Sequence, residues 1–166
     1  GIEHQTTVPY SPQQNGVAER FNRTLINLVR SMLNTKALHK AFWAEALQTA
    51  VYIRNRVTTS SLPPLITPHH RWIGAQPDLT HTRIFGSKCF YIIPKHQLQK
   101  LDPRSRPAVF VGYPAHSKGY KLWDSDLGKC IVSRDMVFRE NVQPETTDIP
   151  HEPASTLDIT AVKEDD

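Results

Sequence analysis

At 166 residues the chain is long enough to bury a core, as one medium domain or two small ones. Hydrophobic residues make up 39% and charged residues 22%, a globular balance rather than a disordered one; no apolar run approaches the roughly 20 residues that a membrane helix needs, which argues against a membrane partner. The net charge of +4 is unevenly divided: residues 1–140 carry 19 Lys and Arg against 9 Asp and Glu, while residues 141–166 carry 1 and 7. A basic body of this kind fits a polyanion, of which nucleic acid is the commonest, or simply a solvated basic surface. Gly1-Ile2-Glu3-His4-Gln5 is polar and shows no signal peptide, and its opening in mid-pattern reads as a piece of a longer protein. Cys89 and Cys130 form neither a disulfide framework nor a CxxC pair; both are expected to be buried, reduced thiols of an intracellular protein.

Residues 1–16 are loop-like, with Pro9, Pro12 and an Asn15-Gly16 pair. From there Val17, Phe21, Leu25, Val29 and Met32 recur every three or four residues, opposite Glu19, Arg23, Asn27 and Arg30, and predict a helix from about Asn15 to Leu33. A second helix is expected from Lys40 to about Val57, with a buried face of Phe42, Trp43, Ala46, Leu47, Ala50 and Val51. The Pro-rich stretch Ser60 to Pro68 breaks regular structure, and a short helical turn follows at Pro68–Ile73. Beyond Thr82 the signal is β: Ile84–Ile93, Ala108–Tyr113, Tyr120–Trp123 and Cys130–Phe138 are rich in strand formers, with Asp124–Lys129 as a hairpin turn. Short strands so spaced predict a small barrel. The acidic, proline-containing tail from Asn141 is expected to be disordered.

The segment from Thr7 to Leu25, TVPYSPQQNGVAERFNRTL, carries the chemistry. It sets a carboxylate, Glu19, one turn into a helix that leaves a Gly-containing loop, so the loop can move onto a substrate while the helix holds the acid still. Asn22 and Arg23, three and four residues on, project from the same side. On spacing alone, an ordinary exposed Glu19–Arg23 ion pair worth a few tenths of a kcal/mol is the stronger reading over a metal site. Lys95, His96, Lys100, Arg104 and Arg106 form a basic stretch between strands, suited to phosphate contacts or to plain solvation. Trp123 and Tyr120 can stack on bases, although aromatics in a small barrel are more often core. Asp78 and Asp102 read as surface groups, and the histidines show no ligand spacing with the cysteines, so no zinc is expected.

The wording of the Thr7–Leu25 segment resembles the third acidic motif of retroviral-type integrases, in the version found in copia-type retrotransposons. In that family two aspartates and a glutamate, the D,D-35-E set, hold two magnesium ions. The resemblance matches Glu19 to the catalytic, metal-binding glutamate, Tyr10, Pro12, Asn15 and Gly16 to the mobile active-site loop, and Asn22 and Arg23 to positions facing DNA ends. Retroviral members usually carry Gln where Asn15 stands. Phe42-Trp43-Ala44-Glu45-Ala46 and Tyr52-Ile53-Arg54-Asn55-Arg56 look like the helix after the catalytic core. Four later runs look like the family's Src-homology-3-like C-terminal barrel: Arg83 to Cys89, Phe110 to Tyr113, Lys118 to Asp124 and Ser133 to Phe138.

The implied fold is α+β: a two-helix remnant of a ribonuclease-H-like integrase core (1–60), a connector (61–81), a Src-homology-3-like barrel (82–140) and a disordered acidic tail (141–166). The implied chemistry is magnesium-dependent phosphoryl transfer on DNA, in which two metals about 3.5–4 Å apart stabilise the entering and leaving oxygens. Only 18 residues precede Glu19, whereas the family Asp stands 35 before it, so the chain is expected to be inactive alone and to bind no magnesium tightly. The implied partners are DNA, remaining integrase segments or further copies of the chain, with nuclear function; the alternative is a non-enzymatic DNA-binding or interaction module left by a decayed or domesticated element. Lacking the core's own sheet, Val17, Phe21, Leu25 and Val29 would face nothing from this chain, and both helices would be less protected than the barrel.

Overall fold

A computed structural model describes residues 15–94, 98–115 and 117–140; Tyr10, Lys95, His96 and the acidic tail lie outside them. The first apolar stripe forms α1, Gly16–Thr35. The helix stops in a Schellman motif. Ala37 takes a left-handed φ of 48°, its N–H reaches the Asn34 carbonyl, and the Leu38 N–H reaches the Leu33 carbonyl at 2.9 Å. Leu33 and Leu38 then pack in the same cluster, which is the apolar contact that usually accompanies this stop.

The His39 side chain accepts from the Ala41 N–H and starts a 3₁₀ turn, Lys40–Phe42, that runs into α2, Trp43–Arg54. The tighter turn gives the inward position to Phe42, edge-on to Trp123 at 5.5 Å, while Trp43, expected in the buried face, is 57% exposed. The short helix predicted at Pro68–Ile73 is present as α3. Thr67 caps it by accepting from the His70 N–H, Pro68 opens it, and Gly74 closes it.

The strands are β1 Lys88–Ile92, β2 Ser105–Gly112, β3 Tyr120–Asp124, β4 Lys129–Ser133 and β5 Met136–Arg139. All pairings are antiparallel, in the order β4-β3-β2-β1-β5. The two edge strands are consecutive in the chain and only Arg134 and Asp135 separate them. In a flat sheet those edges would lie about 19 Å apart at the usual spacing near 4.8 Å, farther than two residues reach. The sheet therefore curls, and the expected small barrel is found. The run Cys130–Phe138 is thus two strands on opposite edges. The run Ile84–Ile93 starts its strand only at Lys88, because Gly86 (φ 81°) turns the chain where a Cβ would lie 2.8 Å from Lys36 and Leu38.

Side chains alternate across β2 and β3. Ala108, Phe110 and Leu122 point into the barrel with Cys89, Tyr91 and Ile93. Val109, Val111 and Trp123 point outward, onto a second cluster made by Leu25, Val29 and Leu33 of α1 with Phe42, Ala46 and Ala50 of α2. This corrects the expectation of an uncovered stripe. Leu25 and Val29 are each 6% exposed, and only the first turns stay open, with Val17 75% and Phe21 41% exposed. The barrel wall covers the stripe. The fully buried Ala46 and Ala50 bring α2 close to it, and Gly112 (φ 133°) lies where a Cβ would sit 2.6 Å from the Thr49 hydroxyl. The partly buried Lys121–Glu45 ion pair at 2.8 Å ties β3 to α2.

Gly112→Ala forces both a left-handed non-glycine and a clash with α2, and is expected to cost about 2 kcal/mol or more. Because the clash sits at the seam, helix amides between Leu25 and Ala50 and barrel amides should lose hydrogen-exchange protection together. Loss confined to the barrel would show that the two parts unfold separately.

Candidate nucleic-acid contact sites

Glu19 stands in the first turn of α1, where a negative charge offsets the positive end of the helix. Asn22 and Arg23 follow on the same side, and Asn15 occupies the N-cap position without a capping bond from its side chain. All four are exposed, and among the described residues no ion pair joins Glu19 to Arg23. The face is polar, and its side chains are exposed. A pair of magnesium ions needs several carboxylates around near-octahedral sites. Among the described residues no three His, Cys, Asp or Glu side chains converge, at Glu19 or elsewhere. These residues do not by themselves fit a two-metal centre.

The second group lies at one end of the barrel. Between β1 and β2 the chain makes a tight turn: the Asp102 N–H reaches the Gln99 carbonyl at 3.2 Å, and the Asp102 carboxylate accepts from the Gln99 N–H at 2.8 Å. Lys100 and Leu101 form its tip. Lys100 and Arg104 are exposed, whereas Arg106, in β2, is half-buried beside Tyr91, its partner in the β1–β2 register. A cleft of about 450 Å³ opens here, bordered by Tyr91, Asp102, Arg106, Lys129 and Ser133 among others. The Tyr91 hydroxyl donates to Asp124 at 2.6 Å, inside the barrel. Burial raises the Tyr91 pKa above its ordinary value, the bond to Asp124 and its charge add to the rise, and a hydrogen bond from Arg106 opposes it. Arg106 thus serves the barrel interior as well as the surface. No hydrogen bond or ion pair among the described residues joins the α1 group to this one.

Sequence reading passed over two features. Asp124, fully buried, holds Tyr91 through one oxygen and the Leu127 N–H, at the hairpin turn, through the other. Its parity with Leu122 along β3 was the available signal, since alternate residues share a face. The other is the connector's His81, which bonds the Tyr52 hydroxyl at 2.7 Å and accepts from Tyr120 through its carbonyl. Tyr52 stacks on Tyr113 at 4.2 Å, with Arg56 over its other face at 3.5 Å. These contacts fasten connector, α2 and barrel together. Tyr120 is packed edge-on to Phe110 and Phe138, and Trp123 against Phe42, so both rings are engaged within the protein.

The cysteines differ, contrary to expectation. Cys89 is buried and its thiol donates to the Ala108 carbonyl, while Cys130, on the edge strand β4, is exposed.

Residues 87–152 match the family described as the retroviral polymerase SH3-like domain. Over 141 residues, 85% of its length, the chain is 48% identical to the retrovirus-related Pol polyprotein from transposon TNT 1-94 of Nicotiana tabacum. The chain belongs to the retrovirus-related transposon Pol polyproteins. It is also 32% identical over 87% of its length to the Pol polyprotein from transposon RE1 of Arabidopsis thaliana, and 29% identical over 89% to that from RE2 of the same plant. This Pol segment spans 10% of the length of each of these relatives. The matched SH3-like stretch takes in all five strands, and the identity to the tobacco relative covers more of the chain than that stretch does.

Burial pushes the Cys89 thiol up to about 12 from an ordinary 9.0, so the folded state holds that proton more tightly than the unfolded chain. The stability this contributes is fully present below pH 9 and is lost as pH rises through 9 towards 12. The alkaline limb of a urea-stability profile should therefore be shallower in Cys89→Ala, at a lower plateau. At pH 8 a thiol reagent should titrate one cysteine of the folded protein, and none in Cys130→Ser.

Proposed function

We propose that this Pol segment acts in DNA integration as a nucleic-acid-contacting part of an integrase, incomplete as a catalyst by itself. The observation that supports the reading is a gradient of burial along α1. The inner half of α1 is locked to the barrel, while its outer turns present Glu19, Asn22 and Arg23 beside uncovered Val17 and Phe21. Uncovered apolar side chains next to a polar site are what an interface with another segment or a second copy requires. On this reading Glu19 supplies one carboxylate to a magnesium site completed from outside the described residues, and Asn15, Asn22 and Arg23 contact DNA, as does Tyr10.

The barrel supplies the second contact. Lys100 and Arg104 are exposed cations on a turn, and Arg106 stands at the cleft behind them, a basic rim suited to phosphates; Lys95, outside the described residues, is assigned to the same DNA contact from the sequence alone. Such contacts give affinity and position rather than sequence reading. The work so described belongs in the nucleus, where host DNA is the target.

Binding to a labelled duplex should weaken linearly on a log–log plot against salt. Replacing both Lys100 and Arg104 with Ala should reduce that slope by about 2, close to one per lost phosphate contact, and weaken binding roughly tenfold or more at low salt. Given magnesium and DNA ends, the chain alone should neither trim nor join them. An unchanged slope in the double variant would remove the basic rim from the proposal, and end joining by this chain alone would contradict its incompleteness.

A further inference from the structure

Leu101 is 98% exposed, the most open of the large hydrophobic residues described. Its backbone is also in a region that L-residues rarely take, with φ at 86°. The two facts have one origin. The carbonyl of Gln99 accepts from the Asp102 N–H, so Leu101 is the third residue of a four-residue turn. A positive φ at that place is the mark of a type II turn, whose third position favours glycine or asparagine. Glycine would adopt this conformation without penalty, and the leucine side chain gains no burial in return. Among the described residues no packing accounts for a leucine here.

Its surroundings indicate what does. Lys100 precedes it, Arg104 follows three residues on, and both are exposed without an ion pair to any described residue. The Asp102 carboxylate is turned inward onto the Gln99 N–H, so it braces the turn. A cleft of about 690 Å³ runs beneath, bordered by Ile92, Leu98, Lys100, Leu101 and Arg104 among others. An apolar tip on a braced turn, between cations that seek phosphates, has the form of a wedge that enters a duplex between base steps while its neighbours hold the backbone.

The geometry points to Leu101 as an apolar wedge that inserts between stacked base pairs of duplex DNA, with Lys100 and Arg104 gripping the flanking phosphates. The inference rests on the proposed DNA contact by the barrel rim and adds to it a deformation of the duplex. A protein partner is the competing occupant. Positive charge on both sides of the leucine favours the nucleic acid.

The test compares the unmodified chain with Leu101→Gly and Leu101→Met on a duplex carrying 2-aminopurine. Glycine suits the turn, so the variant should fold with an unchanged or raised melting temperature. The unmodified chain should raise 2-aminopurine fluorescence on binding, as the step unstacks. Leu101→Gly should lose that rise and bind about tenfold more weakly with the same salt slope, because the phosphate contacts remain; Leu101→Met should restore most of both. If Leu101→Gly matches the unmodified chain in affinity and fluorescence, the wedge is refuted and the basic rim stands. If the unmodified chain shows no salt-sensitive binding, the rim itself fails and the wedge with it. If the glycine variant loses only self-association in sedimentation, the leucine is a protein contact and the wedge is overturned.

Discussion

Phe110 and Val111 are consecutive residues of β2, and they serve two different cores. Phe110 points into the barrel among Cys89, Tyr91 and Leu122, and Val111 points out onto Leu25, Val29, Ala46 and Ala50. A strand buried on both faces cannot alternate between apolar and polar residues, which is why Ala108 to Val111 reads as an unbroken apolar run. The placement of every functional group follows from this shared wall. Without it α1 and α2 would be an isolated helix pair and the barrel a small sheet with one side open to water. With it, the ends of α1 and the turn after β1 belong to one body.

That dual burial also sets what could be read from the sequence. Elements with a local signal were legible: α1 from its stripe, the short helix at Pro68–Ile73, and the hairpin from the Asp124–Lys129 turn. The docking of helices on barrel was not, because the stripe Leu25, Val29, Leu33 looks the same whatever covers it. The resemblance to integrases itself favoured a missing sheet as that cover. Trp43 was misplaced because a 3₁₀ turn shifts the helical phase ahead of α2, and no residue announces where three residues per turn become 3.6. Cys130 was misplaced because edge and central strands share the same residue types.

The candidate sites show the same contrast. Glu19, Asn22 and Arg23 could be grouped from helical spacing alone, and the structure leaves all three exposed on the first turns of α1. The basic stretch between strands was visible as composition, but composition could not separate Lys100 and Arg104, at the surface, from Arg106, which leans on Tyr91. Nor could it flag Leu101, since a leucine in a loop is ordinary until its φ and its exposure are both known.

The burial gradient along α1 links these sites. A helix rises about 1.5 Å per residue, so Glu19 stands about 9 Å beyond Leu25, the first fully covered residue. The anchored half, from Leu25 to Leu33, is held by α2 and by the barrel wall, and the Schellman stop fixes its far end against Gly86. The outer turns continue the same helix beyond that anchored half. A duplex gripped at the Lys100–Arg104 turn would be presented to the Glu19 face at a distance set by the packing of Val111 with Val29 and Ala46. On the proposed reading the barrel would thereby set where the Glu19 carboxylate meets DNA, although it contributes no acid to that site. A change such as one at Gly112, remote from both faces, would act on the seam between helices and wall, which the Lys121–Glu45 ion pair and the Tyr52–Tyr113 stack also hold.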